Sequence, residues 1–559
     1  MPPLKAPSGA VSSSPRDRAI LLSEVFKSKQ CGDTLELPPT CFPEVSLSRF
    51  AFKSKEVLGL LADLDSYGGL DPNGLLPIFL KRNRAFLAPK LSVVFRILLR
   101  TGDFPRIWRK ANVTPIPKTS PPSILPENYR PISITPCISK IYERLISARL
   151  AKYVEVSHLL PNGQFAYRKG LGSCDALLSI VGSIQSKFDQ GLDSFAVSLD
   201  FSSAFDRVRH AALIYRLQLI GVGGPFLEII KNFLSSRSQS VRIDGFCGDA
   251  DGVVSGVPQG SVLGPLLFII FTSSMWDVVN NELIAYADDA TLFASVDRQT
   301  SRSDVVASLN GDMERIVQWC DTWGMKLNPR KTQYIIFSRS RNRDPLPLRV
   351  GDVNLSEQDS IEILGIVLDK KLTFEKHIRS ICSALNRKIG ILRKSYKVFQ
   401  CQKILRNCFY SFLLPCFEHC SPVWGSAAGT HLGLLDRTLN RIKTLIPELN
   451  INLQHRRNVA SMCMFFKIVG NPYHPAHSLL PPPFVSARFT RACLERNSKA
   501  FVVRRCKTTQ FQNCFINRCV KLWNKLPDSV VTLTDLQRFK VGVNKDLSDV
   551  PRNGPTNGS

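Results

Sequence analysis

Two apolar stretches that end on aspartates constrain this chain more than any other feature. In FAVSLDFSSAFDRV (195–208) an apolar run of strand length stops on Asp200. In LIAYADDATLF (283–293) two apolar runs enclose Asp288 and Asp289. Aspartate tolerates turn geometry, so the second segment predicts a hairpin with both carboxylates at its turn. If these strands are neighbours in one sheet, three carboxylates gather at one edge of it. Such a cluster repels itself unless cations neutralise it, and hard oxygen ligands suit Mg2+. Two such ions ~4 Å apart are the standard device for in-line phosphoryl displacement. Either piece alone also describes a solvated turn or a capped strand end, so order and surroundings have to decide.

Charge narrows the partner. Lysine and arginine number 73 against 46 acidic residues, a net +27, which points to nucleic acid or an anionic membrane. The N-terminal MPPLKAPSGAVSSSPRDR has no apolar run of signal-peptide length. No stretch approaches the ~18 uninterrupted apolar residues of a spanning helix, so nucleic acid is the expected partner and a membrane is not. The 16 cysteines include no Cys-x-x-Cys pair, which predicts reduced thiols in an intracellular protein instead of a zinc site.

With 559 residues, 44% of them hydrophobic, the chain has room for several domains. Residues 1–53, rich in Pro, Ser and Lys, read as a flexible lead-in. Helical spacing marks Ser54–Leu61, Ala88–Leu99 and Ile138–Val154. The prolines of 104–136 exclude helix and predict short strands joined by a loop. From 195 onward strands and helices alternate: a strand over Phe195–Leu199, helices over His210–Leu219 and Pro225–Leu234, strands over Ser240–Ile243 and Gly252–Val254. A helix should open after Ser261, its N-cap. Another should run Asn310–Trp323 and stop at Gly324, with strands over Thr332–Phe337 and Ile361–Leu368. Beyond Phe374 the pattern is helical to Ile446, then basic. In the loop before the Ser261 helix, Gly256, Pro258, Gln259 and Gly260 let backbone approach a base pair closely, with Gln259 touching nucleotide or template. Arg168 and Lys169 are candidates for sequence-independent phosphate contacts, a solvated pair being the alternative. Between 481 and 525, basic residues including Arg504 and Arg505 interleave with Phe489, Phe501, Phe511, Phe515 and Trp523. That pattern suits RNA binding by charge and stacking, or equally the core of a small helical domain.

The motifs also resemble a known family. Tyr286-Ala287-Asp288-Asp289 resembles the Tyr-x-Asp-Asp box of reverse transcriptases, and Asp200 through Phe205 the preceding Asp-x-x-x-Ala-Phe-Asp box. SGVPQGSVLGPLLF (255–268) is similar to the family's Pro-Gln-Gly box, and NYRPISI (128–134) and QFAYRKG (164–170) resemble its fingers motifs. WGMKLNPRKTQYIIF (323–337) and ILGIVLD (363–369) match later palm motifs in order. The set covers roughly 55–450 and resembles non-LTR (LINE-type) retrotransposons of jockey-like or chicken-repeat-like kind.

The resemblance implies an α+β right-hand polymerase: fingers and N-terminal helices over 54–194, a ferredoxin-like palm with part of the fingers over 195–372, a helical thumb over 373–450 and a basic extension over 451–559. It implies two Mg2+ ions, with Mn2+ a possible substitute, held by Asp200, Asp288, Asp289 and the Phe201 carbonyl. Phe205 would abut the sugar C2′ position and select deoxynucleotides, the alternative being ordinary core. Lys118 and Arg130 would close over the triphosphate, and Lys331 would give a proton to pyrophosphate; a solvated Lys118 and a surface-paired Lys331 are the alternatives. The partners implied are an RNA template, a DNA primer or target and deoxynucleoside triphosphates. The expected location is intracellular, in a cytoplasmic ribonucleoprotein or the nucleus. FTSSMWD (271–277) departs from the family's Tyr-Ile-Asn-Asp-Leu-like stretch, which puts local palm packing in doubt. With no endonuclease or ribonuclease H constellation recognised, the expectation is a polymerase portion or 5′-truncated copy whose endonuclease is supplied elsewhere. A catalytically silent RNA-binding relic and a group II intron-type maturase are the competing readings; RNA-templated RNA synthesis would more usually show Gly-Asp-Asp at the turn.

Overall fold

The computed structural model describes residues 1–32, 41–297, 299–340, 347–485 and 497–547. In chain order the strands that frame the site are β1 (Lys110–Pro117), β2 (Tyr129–Ile134), β3 (Ser194–Leu199), β4 (Arg237–Ile243), β5 (Phe246–Cys247), β6 (Asp251–Val253), β7 (Glu282–Tyr286), β8 (Asp289–Ser295) and β9 (Gln333–Phe337). The chain packs as two units. One holds Met1–Lys169, Asp200–Asn280 and Gly311–Pro329; the other holds Gly170–Leu199, Asn281–Asn310 and Arg330–Ser559.

In the first unit a sheet runs β2-β1-β4-β5, with β6 also on β4. β1 and β2 are the short strands expected in the Pro-rich stretch. The flexible lead-in expected over 1–53 is corrected in part: Pro15–Ser28 is a helix. The Ser14 hydroxyl accepts the Asp17 N–H at 3.0 Å and Pro15 occupies the first turn, two start signals that composition alone conceals. Its apolar face, Leu22 and Phe26 included, packs with Val113, Tyr129, Val241 and Ile243 in one buried cluster.

In the second unit four antiparallel strands take the order β9-β3-β8-β7. Along the chain, helices come between β3 and β7 and between β8 and β9. Strand-helix-strand-strand-helix-strand with that order is the ferredoxin-like plan, so the α+β expectation holds. β3 is central and nearly continuously apolar because both its neighbours and its faces are covered; helix Ser173–Gln190 packs on this sheet. C-terminal to it lie helices Glu375–Phe399 and Gly429–Lys443, packed on each other, and then Leu453–Val469, Phe515–Trp523 and Leu536–Asp546.

Several element boundaries differ from expectation, and three of the differences have a local cause. The helix expected over 310–323 begins at Arg302, because Ser301 and Asp304 form a reciprocal cap: the Asp304 N–H donates to the Ser301 hydroxyl and the Ser301 N–H to the Asp304 carboxylate. The single strand expected over 361–368 is a hairpin, Ser360–Ile363 and Ile366–Asp369, turned by Leu364 at φ +50° and Gly365 at φ +80°. The helix after Ser261 opens at Gly264; Ser261 is not its N-cap residue, although its hydroxyl accepts the Gly264 N–H at 3.0 Å. The interleaved aromatics resolve to core: Phe501, Phe511, Phe515 and Trp523 are buried, and Phe489 lies outside the described residues. Among the described residues no helix is long and apolar enough to cross a membrane.

Candidate active site

The hairpin register pairs Asp289 with Tyr286, leaving Ala287 and Asp288 as a two-residue turn. Ala287 sits at φ +61°, a left-handed conformation that a residue with a β carbon adopts at a strain of order 1 kcal/mol. The turn thereby holds both carboxylates out at the sheet's end, and Asp288 and Asp289 are exposed. On the adjacent strand Leu199 pairs with Ala290, so Asp200, the next residue, leaves β3 at the end where this turn lies. The Asp200 carbonyl accepts the Asn328 N–H and the Ser202 N–H donates to the Lys326 carbonyl, with Phe201 bridging Leu327 between them. Backbone groups alternate sides along an extended strand, so the Phe201 carbonyl points away from the Leu327 segment, as a metal-ligating carbonyl would have to. Among the described residues no three His, Cys, Asp or Glu side chains are already grouped as a metal cage. The donor chemistry still fits Mg2+, which is commonly held by one or two carboxylates with substrate phosphates and water completing its shell.

The Pro-Gln-Gly loop is built onto the segment that follows Asp200. The Gly256 N–H donates to the Val208 carbonyl at 2.7 Å and the Val257 N–H to the Phe205 carbonyl at 3.0 Å. At Gly256, φ +89°, a β carbon would stand 2.9 Å from the Asp206 backbone. At Gly260, φ +121°, it would collide with the Ser133 carbonyl oxygen, while the Ser133 N–H donates to the Gln259 carbonyl at 2.7 Å. Only glycine permits these approaches. They join β2, the loop and the Phe205 turn, with Pro258 half-buried between the glycines. Phe205 is half-buried and stacks on Phe268, ring centroids 4.1 Å apart, which fixes its ring while leaving part of it accessible.

Sequence reasoning passed over Asp206. Its carboxylate accepts the Gln259 side-chain amide at 2.9 Å. Burial pushes its pKa up, opposed by Lys29, the Gln259 hydrogen bond and Lys118. The signal was available, since Asp206 closes the box that Asp200 opens. Gln259 therefore orients Asp206.

The cations divide. Lys118 and Arg130 are exposed on one ribbon, where Pro117 pairs with Tyr129 and Ile116 with Arg130. The Lys118 ammonium donates to the Glu127 carbonyl at 3.1 Å. Lys331 is exposed just before β9. Arg168 is committed to structure: it grips Glu155 through two hydrogen bonds of 2.8 and 2.9 Å and caps the Pro161 and Gln164 carbonyls. Its neighbour Lys169 is exposed. Arg504 is half-buried and donates to the Leu480 carbonyl at 3.1 Å, whereas Arg505 is exposed.

A model of the family described as reverse transcriptase (RNA-dependent DNA polymerase) matches residues 116–368, a span that holds all three aspartates and the loop. Over 371 residues the chain is 31% identical to the RNA-directed DNA polymerase from mobile element jockey of Drosophila melanogaster, covering 63% of this chain and 39% of that protein. Over 365 residues it is 29% identical to the probable RNA-directed DNA polymerase from transposon X-element of the same organism, covering 64% and 39%. Transposon BS gives 30% over 369 residues, covering 64% and 40%. The chain thus spans about two fifths of the length of these curated relatives. Among solved structures, an apo telomerase from Candida tropicalis, truncated from its C-terminal domain, aligns with 51% of this chain and 59% of its own at 13% identity and a TM-score of 0.33. On its ordered motifs and the matched span, the chain is similar over residues 116–368 to the reverse transcriptase family, and over a wider stretch to the polymerases of jockey-type mobile elements.

Proposed function

We propose that this chain is the RNA-directed DNA polymerase of a non-LTR retrotransposon, extending a DNA primer on an RNA template with deoxynucleoside triphosphates. One observation carries the reading: the β3–β8 register that sends Asp200 out of the sheet at the end where Asp288 and Asp289 turn. Asp200, Asp288, Asp289 and the Phe201 carbonyl would hold two divalent ions, Mg2+ by donor hardness. Bound there, such ions would acidify the primer 3′-hydroxyl and neutralise charge on the departing pyrophosphate. Phe205, held by Phe268, closes the space beside the sugar C2′ position. Gln259 and Gly260 line the nucleotide with side-chain amide and bare backbone. Lys118 and Arg130 bind the triphosphate, and Lys331 supplies a proton to pyrophosphate. Lys169, more than Arg168, meets template phosphates, as does Arg505 more than Arg504.

In this reading 54–194 act as fingers with the N-terminal helices, 195–372 as palm, 373–450 as thumb and 451–559 as a basic extension, in an intracellular ribonucleoprotein. The test is primer extension on an RNA template with Mg2+, comparing the parent chain with Asp288→Asn. The parent should incorporate deoxynucleotides, and the variant should lose more than the ~100-fold typical of disturbing a metal site's outer partners. A parent chain that holds RNA but incorporates nothing overturns the proposal.

A further inference from the structure

The N-terminal helix delivers a lysine to the ribbon that carries Lys118 and Arg130. Just past its C-terminal end the Lys29 ammonium donates to the Tyr129 carbonyl at 3.4 Å, beside Arg130 and two residues from the carbonyl that Lys118 holds. Lys29 and Lys118 therefore converge on the Glu127–Tyr129 stretch, and Lys29 keeps part of its surface open to solvent. The helix end is fastened to the loop and turn described above. The Val254 N–H donates to the Gln30 side chain at 3.0 Å, the Cys31 N–H to the Ser255 hydroxyl at 2.9 Å, and the Cys31 thiol to the Arg207 carbonyl at 3.2 Å.

Burial and the facing Lys118 hold the Lys29 pKa below the ordinary lysine value, with Asp206 and Glu127 pulling the other way. Bringing a second ammonium beside the first is unfavourable unless an anion completes the set. Asp206 supplies part of that charge but is already engaged by Gln259.

We infer that Lys29 is a third cation of the nucleotide site, joining Lys118 and Arg130 in binding the triphosphate of the incoming nucleotide. The inference rests on the polymerase reading for the reaction, but not for the anion. The ligand chemistry is a phosphate chain, and its sources are a nucleoside triphosphate or the template backbone.

The experiment uses the full chain, Lys29→Ala and Lys29→Arg, with two readouts: equilibrium binding of dTTP with Mg2+, and the dTTP dependence of single-nucleotide extension on a primed RNA. Lys29→Ala should weaken dTTP binding and raise KM about tenfold, the factor of one charge-assisted contact, with kcat within about twofold. Lys29→Arg should restore most of the loss, which a merely structural lysine would not require. Unchanged dTTP affinity and KM in a folded Lys29→Ala chain overturn the inference, and so does weaker RNA binding with KM unaltered, which would put Lys29 on the template. Weakened dTTP binding by Lys29→Ala in a chain that extends no primer keeps the inference and overturns the polymerase reading instead.

Discussion

Phe205 shows how much a single side chain is asked to do. It is neither free surface nor closed core: one face stacks on Phe268 with centroids 4.1 Å apart and planes 15° from parallel, and the residue stays half-buried. Stacking fixes the ring at little rotamer cost, and a fixed ring can reject a hydroxyl by volume where a mobile one would yield. Phe205→Ala should therefore relax discrimination against ribonucleoside triphosphates by about 10- to 100-fold, the range over which apolar pockets sort substrates by small differences in size. The measurement is the ratio of kcat/KM for a deoxynucleotide to that for its ribonucleotide. An unchanged ratio with activity retained would make Phe205 ordinary packing.

At the scale of elements, the helix Ser173–Gln190 is joined to the C-terminal helices by one buried carboxylate. Asp175, 1% exposed, accepts from the Lys467 ammonium at 2.7 and 2.8 Å, from the His474 ring at 2.8 Å and from the Gly172 N–H at 2.7 Å. Burial alone would push its pKa up; the His474 and Lys467 hydrogen bonds outweigh burial and hold it below the ordinary aspartate value. A depressed folded-state pKa gives stability that is present above the unfolded-state value and is lost as pH falls through the folded one. Removing the carboxylate strands a buried partner, so Asp175→Ala should lower unfolding free energy by about 3 kcal/mol, read by urea denaturation at pH 7. The gap between parent and variant should begin to narrow as pH falls below about 4, the unfolded-state value, and go on narrowing toward the lower folded-state pKa. A gap that stays constant to pH 3 would exclude the ionised carboxylate as its source.

Elements of this kind mark the limit of sequence reading. β3 and the β7–β8 hairpin were legible because an apolar run ending on Asp200, or folded at Asp288, has few other places to go. The helix start at Arg302 hid in the Ser301/Asp304 cap, a signal present but passed over. The helix Pro15–Ser28 was obscured by the composition around it. Asp206 could have been found from its box. Lys29 could not, because nothing in its own neighbourhood of the chain says that Tyr129 lies beside it.

Across the whole molecule, a net +27 does not say which charges would meet RNA in the proposed polymerase, and the hydrogen bonds sort them. A guanidinium that already grips Glu155 and two backbone carbonyls, as Arg168 does, would have to break those bonds to reach a phosphate. An exposed ammonium such as Lys169 gives up only water and counterions. Counterion release makes the distinction measurable, because each phosphate neutralised adds roughly 0.7 to 0.9 to the slope of log affinity against log salt. Lys169→Ala should lower that slope by about this amount, weakening RNA binding alike for all sequences, with thermal stability unchanged within experimental error. Arg168→Ala should instead lower stability, because it leaves Glu155 and the Pro161 and Gln164 carbonyls without their donor, and the slope of the folded fraction should stay at the parent value. If the two variants exchange these signatures, the salt bridge with Glu155 does not hold Arg168 in the protein that binds RNA, and the charge excess is spread more evenly over the template path than its hydrogen bonds indicate.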